Sequence, residues 1–336
     1  MNAPVQRSGR VVILGIYVTD LTFRAARMPL IGETIAGSAF AMGPGGKGSN
    51  QAVAAARAGA EVVFCTRIGN DAFGEIARKT WATEGITARA SVIEGVSTGA
   101  AHIFVDDTTG TNAIIVASGA AGTMNAADVD AIEADIAAAR VFVTQLEQPL
   151  AAARRGLEVA RRHGVITVFN PAPALPLDDD IFPLCDYITP NETEAAALTG
   201  VPIANADDAR RAADVLLAKG VGAVIVTLGE SGALLHSPTQ SVLVPAYRCG
   251  RVVETAGAGD GFTGGFAAAL ARGDDAVAAL RFGCALAGIS VTRAGTAPSM
   301  PTLDEVNRVL NQPAELSPAS SPCPDHCEGS RRSCSP

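Results

Sequence analysis

The chain has no run of about 18 uninterrupted apolar residues, so no membrane-spanning helix is expected. Its first residues, MNAPVQRSGR, hold no apolar core of a secretion signal, and a cytoplasmic protein is expected. Basic residues are not in excess: net charge is −8 over 336 residues. This argues against a nucleic-acid groove and against anionic membranes as partners. Aromatics are only 4% of the chain, yet with 48% hydrophobic residues a large core is within reach. No internal repeat is present.

Cysteine is scarce and odd in number, seven in all. Cys65, Cys185, Cys249 and Cys284 sit in apolar or mixed segments and read as reduced core or near-core residues. The other three lie in a Pro/Ser-rich tail, 312–336, expected to be disordered. Cys323, His326, Cys327 and Cys334 there lack the second pair at zinc-finger spacing, so a metal site is the weaker reading.

Between them, over 10–311, the pattern alternates strand and helix. VVILGI (11–16) reads as a buried strand, 47–59 as an Ala-rich helix, 61–69 as strand, and 71–85 as a helix capped by Asp71. Helices are expected at 126–139, 150–163, 205–219, 259–272 and 275–293. Strands are expected at 140–146, 166–170, 186–191 and 223–229, then a hairpin through GALLHS and SVLVPAY. The fold class implied is α/β, doubly wound, with a mostly parallel sheet covered on both faces. Two strand-only insertions, 17–46 and 99–117, break the rhythm. They predict a small β-sheet lid whose apolar face needs cover from a ligand, the main body or a second subunit.

Glycine is concentrated where loops become helices. In ETAGAGDGFTGG (254–265) one carboxylate, Asp260, stands at such a junction. Free N–H groups of a first helical turn favour an anion, above all a phosphate. An isolated turn of this kind is more often a simple helix cap. No Lys-Ser/Thr follows it, so it is not a P-loop. A second cluster, MGPGGKGSNQA (42–52), puts Lys47 at a helix start, where its charge opposes the helix dipole unless an anion is near. A third, TPNETEAAALTG (189–200), offers Asn191 and Glu194, either as a capping box or as oxygen ligands for hydrated Mg²⁺. A fourth, TLGESGA (227–233), is a strand end running into a turn, where open α/β sheets bind ligands.

In this order the motifs resemble the ribokinase branch of the PfkB carbohydrate kinase family. The likeness spans about 10–311 and includes GGKGSNQAVAAARAGA, QLEQPL, NPAPA, ITPNETEAAALTG, VTLGESGAL, TAGAGDGFTGGF and VTRAGTAPSMP. It implies transfer of the ATP γ-phosphoryl to a sugar hydroxymethyl group, D-ribose being the leading acceptor, with Mg²⁺ and a stimulating K⁺. By this resemblance Asp260 is the base and Gly257, Ala258 and Gly259 the anion hole. Asp20, Gly45, Gly46, Lys47, Asn50 and Glu147 would line the sugar site, with Gly45–Gly46 as hinge. Asn191, Thr227, Gly229, Gly232, Gly259 and Cys284 would touch ATP, and Glu194 would organise Mg²⁺ through water. Glu254, Ala256, Ser290, Arg293, Gly295 and Ser299 would hold the monovalent cation. A homodimer through the lid is implied.

Three residues depart from the family pattern. Val18 stands where an Asn is usual and cannot bond a hydroxyl, which admits deoxyribose, a nucleoside or another sugar as acceptor. Glu254 replaces an Asp, and Gly261 follows the base where Thr, Ala or Ser is commoner, lowering helix propensity by roughly 0.5–1 kcal/mol. A non-catalytic sugar or nucleotide sensor is the reading from another class, and the intact GAGD argues against it. A nicotinamide-dependent oxidoreductase is more distant, because the first strand leads into GIYVTD, not a glycine-rich turn.

Overall fold

The computed structural model describes residues 9–312. The chain opens with β1 (Arg10–Leu14), β2 (Val18–Ala25), β3 (Ala39–Gly45), α1 (Lys47–Arg57), β4 (Glu61–Gly69), α2 (Ala72–Thr83) and β5 (Thr87–Ile93). There follow β6 (Thr98–Asp106), β7 (Asn112–Gly119), α3 (Ala126–Ala131), α4 (Glu133–Ala138), β8 (Val141–Thr144), α5 (Leu150–Arg162) and β9 (Ile166–Phe169). Then come β10 (Tyr187–Ile188), α6 (Glu192–Thr199), α7 (Ala206–Ala218), β11 (Ala223–Thr227), β12 (Ala233–Ser237) and β13 (Gln240–Val244). Three helices close the chain: α8 (Ala258–Arg272), α9 (Ala276–Ser290) and α10 (Leu303–Leu310).

Nine strands form the main sheet in the order β13-β12-β11-β10-β9-β8-β1-β4-β5. All its pairings are parallel except β11–β12 and β12–β13. The period of two along each strand divides the core. Val11, Ile13, Val62 and Phe64 pack on one face with α1, α8 and α9. Val12, Leu14, Val63 and Cys65 pack on the other with α5 and α7. The one tryptophan, Trp81, is fully buried beside Tyr17 and Phe64, and its Nε1 donates to Ser49 Oγ at 3.1 Å. This ties α2 to the first turn of α1.

The strand order reverses at β1: the chain runs outward to β4 and β5, then returns to β8 on the other side. Ligand-binding crevices form at such a reversal, at the carboxyl ends of the strands. Over this crevice lies a second sheet of four strands, β3-β2-β6-β7, the expected lid. On β2 the residues Val18 and Asp20 share the face that also carries Gly45 and Gly99.

Four details correct the sequence-based expectations. The helix expected at 126–139 is two short helices broken at Ile132, whose φ of −111° and ψ of 13° leave the helical region. The strand expected at 186–191 is only Tyr187–Ile188, because Asn191 turns to cap α6. The edge strand β5 and the helix α10 were not expected. The Cys-bearing tail, including the group at 323–334, lies outside the described residues.

Candidate active site

Helix α8 begins at Gly257, whose φ of 78° lies in the left-handed region that glycine tolerates best. No side chain caps this helix. Asp260 is therefore not the cap that an isolated turn would make it. Its buried carboxylate accepts from Asn50 Nδ2 at 3.0 Å and from Gln51 Nε2 at 3.1 Å, both on α1. Burial pushes its pKa up, while Lys47, Asn50 and Gln51 pull it back. Of the residues expected to form the anion hole, Ala258 spends its N–H on Thr255 O at 3.2 Å. Gly259 faces open space, with nothing near the position of an added Cβ.

The other glycines of this stretch serve packing. A Cβ on Gly264 would stand 2.5 Å from the backbone oxygen of Gln51, and one on Gly261 3.0 Å from Leu286 and 3.1 Å from Met300 sulfur. Gly261 thus lets α8 approach α9 closely; lost helix propensity alone misses this use of it.

Lys47 opens α1, and Gly46 before it has a φ of 88°. Three carboxylates, Asp260 first and then Glu147 and Glu194, hold the Lys47 ammonium protonated against its burial. They answer the unfavourable helix dipole. Glu147 is part-buried, not a surface charge: its Oε2 accepts the Lys47 backbone N–H at 2.8 Å. Burial drives its pKa up to about 7 despite Lys47. Asp20 is pushed up to about 6, again by burial, with a bond from Thr296 Oγ1 at 3.2 Å opposing the shift. Gly45 is needed beside it, since a Cβ there would fall 2.1 Å from Asp20 Oδ1. The Thr296 hydroxyl lies also 3.1 Å from Pro44 O, so one body residue holds two lid strands.

A cavity of about 210 Å³ joins Lys47, Asn191, Glu194, Thr227, Gly257, Gly259 and Asp260, and adds Asn170, Ala172, Thr189 and Thr255. Asn191 and Glu194 form the capping box of α6: Asn191 Oδ1 accepts from Glu194 N at 2.8 Å, and Glu194 Oε2 from Asn191 N at 2.9 Å. The same two side chains line the cavity, so capping and ligand reach are compatible. Gly229 and Gly232 shape the turn after β11, outside that lining. Cys284 is likewise outside it, buried in α9, and burial raises its thiol to about 12.

The expected cation loop is assembled from two segments. Glu254 Oε2 accepts from Gly295 N at 2.8 Å, and the N–H groups of Val253 and Glu254 point to Val291 O at 2.8 and 3.2 Å. Ser290 and Ser299 are buried, their hydroxyls donating to Ala287 O and Thr296 O. Arg293 turns to Glu305. Sequence reasoning gave no role to Gln51, Gln145, Asn170 or Thr296. All stand in quoted motifs, and a signal is present in the Asn-Gln pair of KGSNQA, two consecutive amides just before the apolar run AVAAA of the same helix.

The chain that builds this arrangement, a carboxylate at an uncapped helix start with a lysine and a polar cavity beside it, is similar to known proteins over about nine-tenths of its length. Residues 8–303 match the family model described as pfkB family carbohydrate kinase. A ribokinase of Haemophilus influenzae is 40% identical over 301 residues, covering 89% of this chain and 98% of that protein. A deoxyribokinase of Salmonella typhi is 38% identical over 303 residues, covering 90% and 98%. Among solved structures, the Arabidopsis thaliana ribokinase complexed with ribose and ATP superposes with a TM-score of 0.83 at 28% identity, covering 91% of this chain and 100% of that one. With the site geometry and these likenesses together, the chain belongs to the pfkB family of carbohydrate kinases.

Proposed function

We propose that this chain transfers the γ-phosphoryl group of ATP to the 5-hydroxymethyl group of D-ribose, giving ribose 5-phosphate. The observation that carries this is the Asp260 carboxylate, buried at the uncapped start of α8 and facing the Lys47-lined cavity. Asp260 takes the proton from the attacking hydroxyl as its oxygen bonds to the γ-phosphorus. The bond to the ADP oxygen breaks and its electron pair leaves with ADP. A raised carboxylate pKa suits a base working near neutral pH. The helix start and Lys47 face the charge that spreads over the transferring phosphoryl. Asn50 Oδ1, buried without a hydrogen-bond partner, is an acceptor available to a sugar hydroxyl, beside Asp20, Glu147 and the Gly45–Gly46 hinge.

Asn191, Thr227 and Gly259 would meet the nucleotide within the cavity, with Gly229, Gly232 and Cys284 behind it. No group of three His, Cys, Asp or Glu is placed to hold a metal among the described residues. Glu194 with Asn191 fits hydrated Mg²⁺, which takes few protein ligands and, when bound, neutralises phosphate charge. The loop of Ala256, Ser290, Arg293, Gly295 and Ser299 fits K⁺ held by backbone oxygens. Glu254, spent on Gly295 N–H, would brace that loop. The lid's outer face, with Phe23, Phe40, Met42 and Ile115 exposed, would be covered by a second copy of the chain. No helix of the described residues is long and apolar enough to cross a membrane.

Asp260→Asn tests the reading. Turnover should fall by at least about 10³-fold while nucleotide binding persists. Near-normal turnover would refute the role of Asp260. Deoxyribose as acceptor is the second reading. Val18 is 2% exposed on the Asp20 face of β2 and offers no hydrogen bond. Relative kcat/KM for ribose and deoxyribose decides between them.

A further inference from the structure

Behind Asp260 lies a chain of buried amides. Gln51 is fully buried. Its Nε2 donates to Asp260 Oδ1 and to Asn170 Oδ1, each at 3.1 Å. Its Oε1 accepts from the Gln145 amide. Asn170 Nδ2 in turn donates to Thr189 O at 2.9 Å. Both hydrogens and the oxygen of the Gln51 amide are thereby spoken for. Its orientation is set by two acceptors, the Asp260 carboxylate and Asn170 Oδ1, which call for the amide nitrogen on their side and leave its oxygen toward Gln145. Gln145, Asn170 and Thr189 follow the carboxyl ends of β8, β9 and β10, the rigid floor of the crevice.

An aspartate has one rotatable bond between Cβ and its carboxylate. Asn50 holds Oδ2 and Gln51 holds Oδ1, so the plane of the carboxylate is fixed by two donors from one turn of α1. Each oxygen keeps a free lone pair for the incoming proton. Neither Asn50 nor Gln51 lines the cavity, but Asn50 keeps a buried, unpartnered Oδ1, whereas every polar atom of Gln51 is engaged. A fully buried glutamine with every polar atom assigned is costly to place unless its orientation is put to use.

We propose that Gln51 is a positioning residue for phosphoryl transfer: anchored by Gln145 and Asn170, it holds the Asp260 carboxylate in the orientation from which it takes the acceptor proton. This rests on the reading of Asp260 as the base. A hydrogen bond to a charged group also favours the charged form, so loss of Gln51 raises the pKa of Asp260 further. Lys47 of α1, Asp20 of β2, Glu147 after β8 and Glu194 of α6 are the other charged groups facing Asp260. They are unchanged in the variant, and the difference from wild type reports Gln51.

The test compares wild type, Gln51→Met and Asp260→Asn with ATP and ribose or deoxyribose, whichever wild type turns over. Gln51→Met keeps the volume and removes the amide. The expected result is a kcat lower by about 10- to 100-fold, with the sugar KM and the nucleotide Kd within about twofold. The acid limb of the kcat profile should move to higher pH. Gln51→Asn, a milder change should the methionine variant not fold, keeps an amide but loses one methylene of reach. It should show the same split. A folded variant of either kind with wild-type kcat and an unmoved acid limb overturns the proposal, even if its stability falls. If Asp260→Asn itself turns over normally, the reading of Asp260 fails first, and the Gln51 result is then explained by packing.

Discussion

Gly264→Ala should loosen the protein and slow it together. The added Cβ would sit 2.5 Å from the Gln51 backbone oxygen, 2.7 Å from Ala54 Cβ and 3.1 Å from Ala55 N. Ordinary contact lies about 1 Å farther out, so α1 and α8 must part by a comparable distance. No flexible side-chain tip can yield, because two of the three atoms are backbone. Overpacking costs about 1–3 kcal/mol and alanine returns up to ~1 kcal/mol of helix propensity, a net loss of roughly 1–2 kcal/mol. The same displacement stretches the Asn50 and Gln51 bonds to Asp260, now 3.0 and 3.1 Å. Urea unfolding and kcat would be measured on the variant, with Gly259→Ala as its partner. An added Cβ on Gly259 meets nothing but borders the cavity, so that variant should keep its stability and lose turnover. A Gly264→Ala protein as stable and as active as wild type would refute the claim that this contact sets the spacing of the two helices.

Two further outcomes are expected. Burial raises the pKa values of Glu147 and Asp20 to about 7 and about 6, so at these two sites the folded protein binds more protons than the unfolded chain from about pH 4 to 7. Their contribution to stability therefore falls as pH rises through this window, and Glu147→Gln should raise the Tm of ligand-free protein near neutral pH and flatten that slope; an unchanged slope counts against the assignment. Thr296→Val removes the hydroxyl shared by Asp20 and Pro44, and should raise the sugar KM by about 2- to 10-fold without altering nucleotide Kd, as titrations of each ligand would show.

The doubly wound sheet and the lid were legible because their signals are local. Short β-branched runs alternate with alanine-rich helices, and two strand-only insertions interrupt them. The glycine-rich turn around Asp260, taken alone, reads more readily as a helix cap, and only the ordered set of motifs points to a phosphate there. The edge strand β5, TARASVI, was missed because five of its seven residues are exposed, leaving no apolar face to read. Helix α10 carries a readable sign, the capping box of Thr302 and Glu305. The amide chain of Gln145, Gln51 and Asn170 joins residues 94 and 119 positions apart, and no local pattern encodes which buried amides will meet. Gly261 reads from the sequence only as lost helix propensity, whereas its use and that of Gly264 depend on which helices come to lie against them.

Thr296 sits one residue after Gly295, which the Glu254 carboxylate grips, and its Cα would lie 3.2 Å from a Cβ on Gly257. The lid is therefore moored to the very segment that abuts the start of α8. An outward swing of β2 and β3 would break the Thr296 contacts with Asp20 and Pro44, so the placement of those strands and of the start of α8 is linked through one side chain.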